Sequence, residues 1–379
     1  MKLRILGNSS LKVSEISLGS WLTVGGKSLS DEIPGSPSIE ERETGLKILE
    51  KAVDLGIIFF DTAPGYGKGN AERMIGEFMQ DYDRDSFVIA TKVFFPIEWD
   101  DNRFGTSRKS IHTNIKESLE RLQTDYIDIY YCHMYDNFGN IEETVRAMNH
   151  MIDQGKILYW GVSNWTAAEI ERVYGICKAE GLEAPIVLQT KYNLLNREIE
   201  LSHLSTFNYT KIGLATYSSL EEGILTGKYN HGIPSDARLK KLKGTVFEEL
   251  STEFFNKKLT EENLEKLRKL EELAKEQEIS MAQLSLAWLL SKDFVKTAIV
   301  GASKVEHVED NAHTSKLNLE KAVFTRIEEI MDNEPVDHGE HARWSYTVLT
   351  KKFKEWNNRL PSIAQDRREA KKEKEKVED

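Results

Sequence analysis

Gly155-Lys156-Ile157-Leu158-Tyr159-Trp160-Gly161-Val162-Ser163-Asn164-Trp165-Thr166-Ala167-Ala168-Glu169 holds one complete strand-to-helix unit. Gly155 closes a helix whose apolar stripe is Ile141, Val145, Met148 and Ile152, the spacing of one buried face. Ile157–Trp160 is short and apolar throughout, as a strand covered on both faces must be. The loop Gly161–Trp165 follows, and Thr166-Ala167-Ala168-Glu169 is a capping box that starts the next helix.

Outward from this unit the same alternation recurs. Strand-like runs stand at Ile16–Leu18, Ile57–Phe60, Phe87–Ala90, Tyr126–Tyr131, Ile186–Leu188, Ile212–Thr216 and Ala298–Val300, making eight in all. Helix patterns separate them, one opened by a second capping box, Ser38-Ile39-Glu40-Glu41. Strands joined through helices pair in parallel by right-handed crossovers, and eight units close into a (β/α)8 TIM barrel, an α/β fold. An open, doubly wound sheet would place G-x-G-x-x-G after its first strand. Gly19-Ser20-Trp21-Leu22-Thr23-Val24-Gly25-Gly26 lacks that spacing, so the barrel is favoured.

Leu3–Ile5 and Leu11–Val13 flank Gly7-Asn8-Ser9-Ser10 and predict an N-terminal β-hairpin at the barrel bottom. Leu220–Leu259 has no clean period and reads as a functional lid. Helices are predicted over Glu262–Gln277, Met281–Leu290 and Leu319–Met331. The barrel domain is expected over 1–333. A C-terminal extension is expected over 334–379, its aromatic first half (Trp344, Tyr346, Phe353, Trp356) a docked helix and its terminal charge run, Arg367 to Asp379, mobile.

The length of 379 residues suits one large barrel or two ordinary domains. A net charge of −11 disfavours nucleic acid and anionic membrane surfaces as partners. Two cysteines exclude a disulfide scaffold and a Cys-based metal cluster. No apolar run approaches the ~20 residues of a membrane span, and Met1–Asn8 lacks an apolar leader core. A cytoplasmic protein without membrane insertion is expected; a homo-oligomer is left open.

In a TIM barrel the chemistry sits at the C-terminal strand ends. Those ends carry Asp61-Thr62-Ala63-Pro64-Gly65-Tyr66, Thr91-Lys92, Cys132-His133, Ser163-Asn164-Trp165, Gln189 with Lys191 and Tyr192, Tyr217-Ser218-Ser219, and Gly301-Ala302-Ser303-Lys304. Asp61, Tyr66, Lys92 and His133 are thereby expected at one mouth. Singly, each has a plain reading: Asp61 a turn or cap residue, His133 structural, Tyr66 surface. Together they form a tuned proton donor. A tyrosine near its free pKa of about 10 is a poor acid at neutral pH, and an adjacent ammonium is expected to lower that value. Asp61 would hold Lys92 charged, and His133 could share the substrate oxygen with Tyr66. Such a tyrosine can protonate a carbonyl oxygen as hydride reaches its carbon. Trp21, Trp99, Trp165 and Tyr192 suggest an aromatic substrate pocket. The Gly301–Lys304 turn offers helix N–H groups to a phosphate, and Asp310 and Asn311 lie about two turns farther along. No strand end offers His, Asp and Glu at metal-ligand spacing, which disfavours a metal-dependent hydrolase or isomerase.

At these residues the chain resembles the aldo-keto reductases. The matching stretches include Phe60–Gly67, Ala90-Thr91-Lys92, Leu119–Asp128, Tyr159–Trp165, Tyr217–Leu220 with Gly227-Lys228-Tyr229, and Gly301-Ala302-Ser303. Glu142–Met148 with Gln154-Gly155-Lys156 is most similar to the potassium-channel β-subunit-like branch and its bacterial relatives. The resemblance implies NADPH-dependent reduction of an aldehyde or ketone, with Asp61, Tyr66, Lys92 and His133 as catalytic tetrad and Tyr66 as acid. It further implies nicotinamide contacts from Ser163, Asn164 and Gln189, stacking by Tyr217, and a loop beside the cofactor at Ser20 and Trp21. Pyrophosphate contacts fall on Ser218, Leu220 and Lys228, and the adenosine end on Ser303, Lys304, His307, Asp310 and Asn311. Where the channel subunits carry asparagine at the fourth tetrad position, this chain has His133, which favours turnover over cofactor sensing alone. A cofactor-loaded regulatory or scaffolding subunit is the alternative.

Overall fold

Successive side chains of a strand point to opposite faces, so a strand inside a ring of helices needs two apolar sets, one per face. The barrel shows both. The computed structural model describes residues 1–25, 37–98, 100–234 and 248–332. β1 (Leu3–Ile5) and β2 (Lys12–Ser14) form an antiparallel hairpin. β3 (Ile16–Gly19), β4 (Phe59–Asp61), β5 (Val88–Val93), β6 (Ile127–Cys132), β7 (Ile157–Ser163), β8 (Val187–Lys191), β9 (Gly213–Tyr217) and β10 (Val295–Val300) are parallel and close into a barrel, β10 beside β3. All eight predicted runs are therefore barrel strands.

The helices in chain order are α1 (Ile39–Asp54), α2 (Asn70–Met79), α3 (Arg108–Leu122), α4 (Ile141–Asp153), α5 (Ala167–Glu180), α6 (Glu198–Ser202), α7 (Leu204–Thr210), α8 (Glu248–Lys258), α9 (Glu261–Glu276), α10 (Met281–Leu290), α11 (Val305–His313) and α12 (Lys321–Met331). Both capping boxes form as read. The Ser38 hydroxyl accepts from the Glu41 N–H, and Glu169 reaches back to the Thr166 N–H at 2.8 Å.

One apolar set fills the barrel: Phe59, Val88, Ala90, Ile129, Tyr131, Val187, Ala215 and Ile299. The alternate residues, among them Phe60, Ile89, Tyr130, Trp160, Leu188 and Leu214, pack outward beneath the helices. Leu6 and Val13 of the hairpin join the inner set and stopper the bottom. Gly7 makes that closure possible, because a Cβ there would stand 1.9 Å from the Ile186 carbonyl oxygen and its φ is +57°.

The stretch read as an aperiodic lid contains α8 and a 3₁₀ turn over Glu221–Thr226. On α8, Phe255 is buried, set 5.3 Å from the Tyr229 ring. The readings for 334–379 and for Trp99 lie outside the described residues. Among the described residues no helix is long and apolar enough to cross a membrane, and no group of three His, Cys, Asp or Glu could hold a metal ion.

Candidate active site

The inward parity of the strands builds the mouth. Two residues beyond Phe59 stands Asp61, two beyond Ala90 stands Lys92, two beyond Val187 stands Gln189, and two beyond Ala215 stands Tyr217. His133 likewise follows Tyr131 by two, while Cys132 between them turns outward into the core. Period two therefore projects six polar or aromatic groups into one opening once Ser163 on β7 is added.

Lys92 has no exposed surface, and its Nζ lies 2.7 Å from Asp61 Oδ1 while donating to the Thr62 carbonyl at 2.8 Å. The other Asp61 oxygen accepts from Gln189 Nε2 at 2.7 Å. The same ammonium stands 4.9 Å from the Tyr66 ring centroid. Tyr66 meets the His133 ring edge-on at 6.3 Å, and the Trp21 ring lies 6.4 Å from it. The four residues expected at one mouth are thus brought together.

The electrostatics correct one expectation. Burial penalises the Tyr66 phenolate more than Lys92 favours it, and Asp61 opposes it too, so the phenol titrates above its ordinary value of 10.0 rather than below. Burial alone would lower Lys92, yet the Asp61 carboxylate and Tyr66 outweigh it and hold the ammonium above the usual lysine value. Burial, with Lys92 nearby, presses His133 well below 6.5, so its imidazole is neutral at pH 7. A neutral imidazole and a protonated phenol therefore face one opening beside a fixed cation.

Next to this group, Tyr217 donates to Asn164 Oδ1 at 2.8 Å, and Asn164 holds φ +60°, a left-handed conformation that asparagine tolerates. Ser163 is buried and its hydroxyl accepts from Asn164 Nδ2 at 3.1 Å. Ser20 is buried and donates to the Asp61 carbonyl at 3.0 Å. The Ser218 hydroxyl donates to Glu222 at 2.7 Å, and the Leu220 carbonyl accepts from the Gly223 and Leu225 N–H groups. At the far rim, Gly301, Ser303, Lys304 and His307 are exposed where α11 begins, and no side chain caps that helix start. Burial, then Lys304 and Lys228, push His307 below 6.5 against the opposing Glu306 and Asp310 carboxylates. Uncapped helix N–H groups amid cations fit a phosphate.

Four residues expected at the site are engaged within the fold. Tyr192 has no exposed surface; its ring packs on Trp288 at 5.6 Å and its hydroxyl donates to Glu200 at 2.6 Å. Trp165 is buried edge-on against Tyr135 at 4.9 Å. Trp21, by contrast, is 40% exposed at the opening. Asp310 accepts from Ser280 Oγ at 2.8 Å and Gln283 Nε2 at 2.7 Å, tying α11 to the start of α10, and Asn311 beside it is buried. Sequence reading also passed over Phe95 and Phe104. Phe95 stands 5.3 Å from the His133 ring and 6.0 Å from Phe104. The aromatic run Phe94-Phe95 directly after β5 signals Phe95, whereas Phe104, nine residues on, has no local signal.

A closed parallel barrel with this polar cluster at its C-terminal mouth defines a TIM-barrel protein whose chemistry centres on a buried lysine and a tyrosine. A profile of the aldo/keto reductase family matches residues 15–332. The chain belongs to that family, an oxidoreductase family. It is 36% identical over 343 residues to an Arabidopsis thaliana protein named "Probable voltage-gated potassium channel subunit beta", covering 88% of this chain and 98% of that one. An Oryza sativa subsp. japonica protein of the same name is 35% identical over 343 residues, with the same coverage.

Proposed function

We propose that this protein is a cytoplasmic reductase of aldehydes or ketones that uses NADPH. One observation carries the reading: Lys92, wholly buried and 2.7 Å from Asp61, is fixed beside the Tyr66 ring with His133 on its edge. When bound, the dinucleotide supplies hydride to the carbonyl carbon. Ser163, Asn164 and Gln189 would hold its nicotinamide, Tyr217 would stack on the ring, and Ser20 would close the loop beside it. Ser218, Leu220 and Lys228 would reach the pyrophosphate, with Ser303, Lys304 and His307 at the 2′-phosphate end. The fit rests on the uncapped start of α11 amid cations, and on a Tyr217 ring already anchored through Asn164.

Tyr66 is protonated at neutral pH because burial holds its phenol high. It donates that proton to the carbonyl oxygen as charge develops there, and the Lys92 ammonium stabilises the phenolate left behind. Asp61 keeps Lys92 charged throughout. Neutral His133 donates a second hydrogen bond to the same oxygen and fixes its direction. NADPH consumption over a panel of aldehydes, ketones and quinones should show turnover. Bound NADPH with no turnover on any of them would favour the second reading, a cofactor-binding regulatory subunit, to which the names of the relatives point.

A further inference from the structure

The turn between β9 and α8 is held in an uphill conformation. Ser218, Glu221 and Glu222 have φ of 48°, 47° and 57°, all left-handed, and none is glycine. Such residues persist only where the surroundings force them. What forces them lies underneath. Glu221 has no exposed surface, and its carboxylate faces Lys191 Nζ at 2.9 Å and Lys258 Nζ at 3.7 Å. Asn193 Nδ2 bridges the Glu221 carboxylate, at 2.5 Å, and the Ser218 carbonyl, at 2.9 Å. Lys258, at the end of α8, also donates to the Leu195 carbonyl at 2.8 Å. One carboxylate thus fastens the turn to the segment that follows β8 and to α8.

We infer that Glu221 is a positioning residue: pinned by Lys191, Asn193 and Lys258, it presets the strained 218–222 turn so that Tyr217 and Ser218 are ready for a dinucleotide. The inference rests on the cofactor reading above. Glu221 has no exposed surface, so it acts through backbone shape rather than contact. A turn that is competent only part of the time weakens apparent affinity by that fraction. The effect belongs to the nicotinamide and pyrophosphate half, so NADPH and NADH should weaken by the same factor.

The test is the double variant Lys191→Met/Glu221→Leu. Replacing a buried ion pair with apolar side chains of similar size is often near neutral, and Lys258, which loses the Glu221 carboxylate, keeps the Leu195 carbonyl as its partner. In the cofactor-free protein, the Glu221 and Gly223 amides, bonded to the Ser218 and Leu220 carbonyls, should exchange hydrogen at least about tenfold faster. Fluorescence titration should show NADPH and NADH each bound about tenfold more weakly, their ratio unchanged. If the double variant does not fold, Asn193→Ala removes the amide bridge alone and should move both readouts the same way by roughly threefold. Unchanged exchange overturns the inference, as does faster exchange with unchanged affinity, or a shifted NADPH-to-NADH ratio. If the wild-type protein binds neither dinucleotide, the cofactor reading fails and this role falls with it, whereas normal wild-type binding with an insensitive variant defeats the positioning role alone.

Discussion

Lys92 and Lys191 are both buried at C-terminal strand ends, each within 3 Å of a buried carboxylate. Their surroundings differ. Lys92 also faces the half-buried Tyr66 ring and, through it, the open mouth. Lys191 faces Glu221, which is bonded to an amide and approached by a second lysine beneath a strained turn. The same pair chemistry therefore serves a proton donor in one place and backbone shape in the other. A buried ion pair is weak evidence of purpose until its third neighbour is known.

The sharpest way to break the contrast is at the phenol. Tyr66→Phe keeps the ring and should lower kcat by at least about 10²-fold, the usual scale for a lost general acid, with dinucleotide affinity nearly unchanged. For the wild type, kcat should stay flat from about pH 6 to 9 and fall only in alkali, because Tyr66 titrates above 10.0 and His133 well below 6.5. A variant retaining a tenth of wild-type kcat in a chemistry-limited assay, or a rate break near pH 6.5, would remove these roles.

Removing charge at each pair separates stability from function. Asp61→Leu alone strands the Lys92 ammonium and should cost about 3–5 kcal/mol in chemical denaturation, whereas Asp61→Leu/Lys92→Met should recover most of that loss. The recovered double variant should still not turn over, because no cation remains beside Tyr66. Recovery of turnover with stability would make the two lysines equivalent and erase the contrast.

The smallest expected effect lies at the rim. Lys304→Ala removes one charge-assisted contact to a 2′-phosphate, worth roughly 1.5–3 kcal/mol. NADPH should bind at least about tenfold more weakly while NADH is unaffected. This is the opposite signature to that of the Glu221 turn, where both dinucleotides change together. Equal losses for both at Lys304 would take the 2′-phosphate away from that site.

The sequence alone determined what depends on period and on local hydrogen bonding. Eight apolar runs and two capping boxes placed the strands and helix starts, because parity along a strand and the geometry of an N-cap are properties of neighbouring residues. Parity also carried Asp61, Lys92, His133 and Tyr217 to one mouth, since side chains two apart share a face. Only the tertiary structure decided how those groups titrate, for desolvation depends on everything that surrounds a group, and here it reversed the direction foreseen for Tyr66. Tertiary packing likewise took Tyr192 into the Trp288 cluster and Asp310 to the cap of α10. The meeting of Glu221 with Lys191 and Lys258 belongs with these, because the partners lie 30 and 37 residues from it along the chain and no local pattern links them.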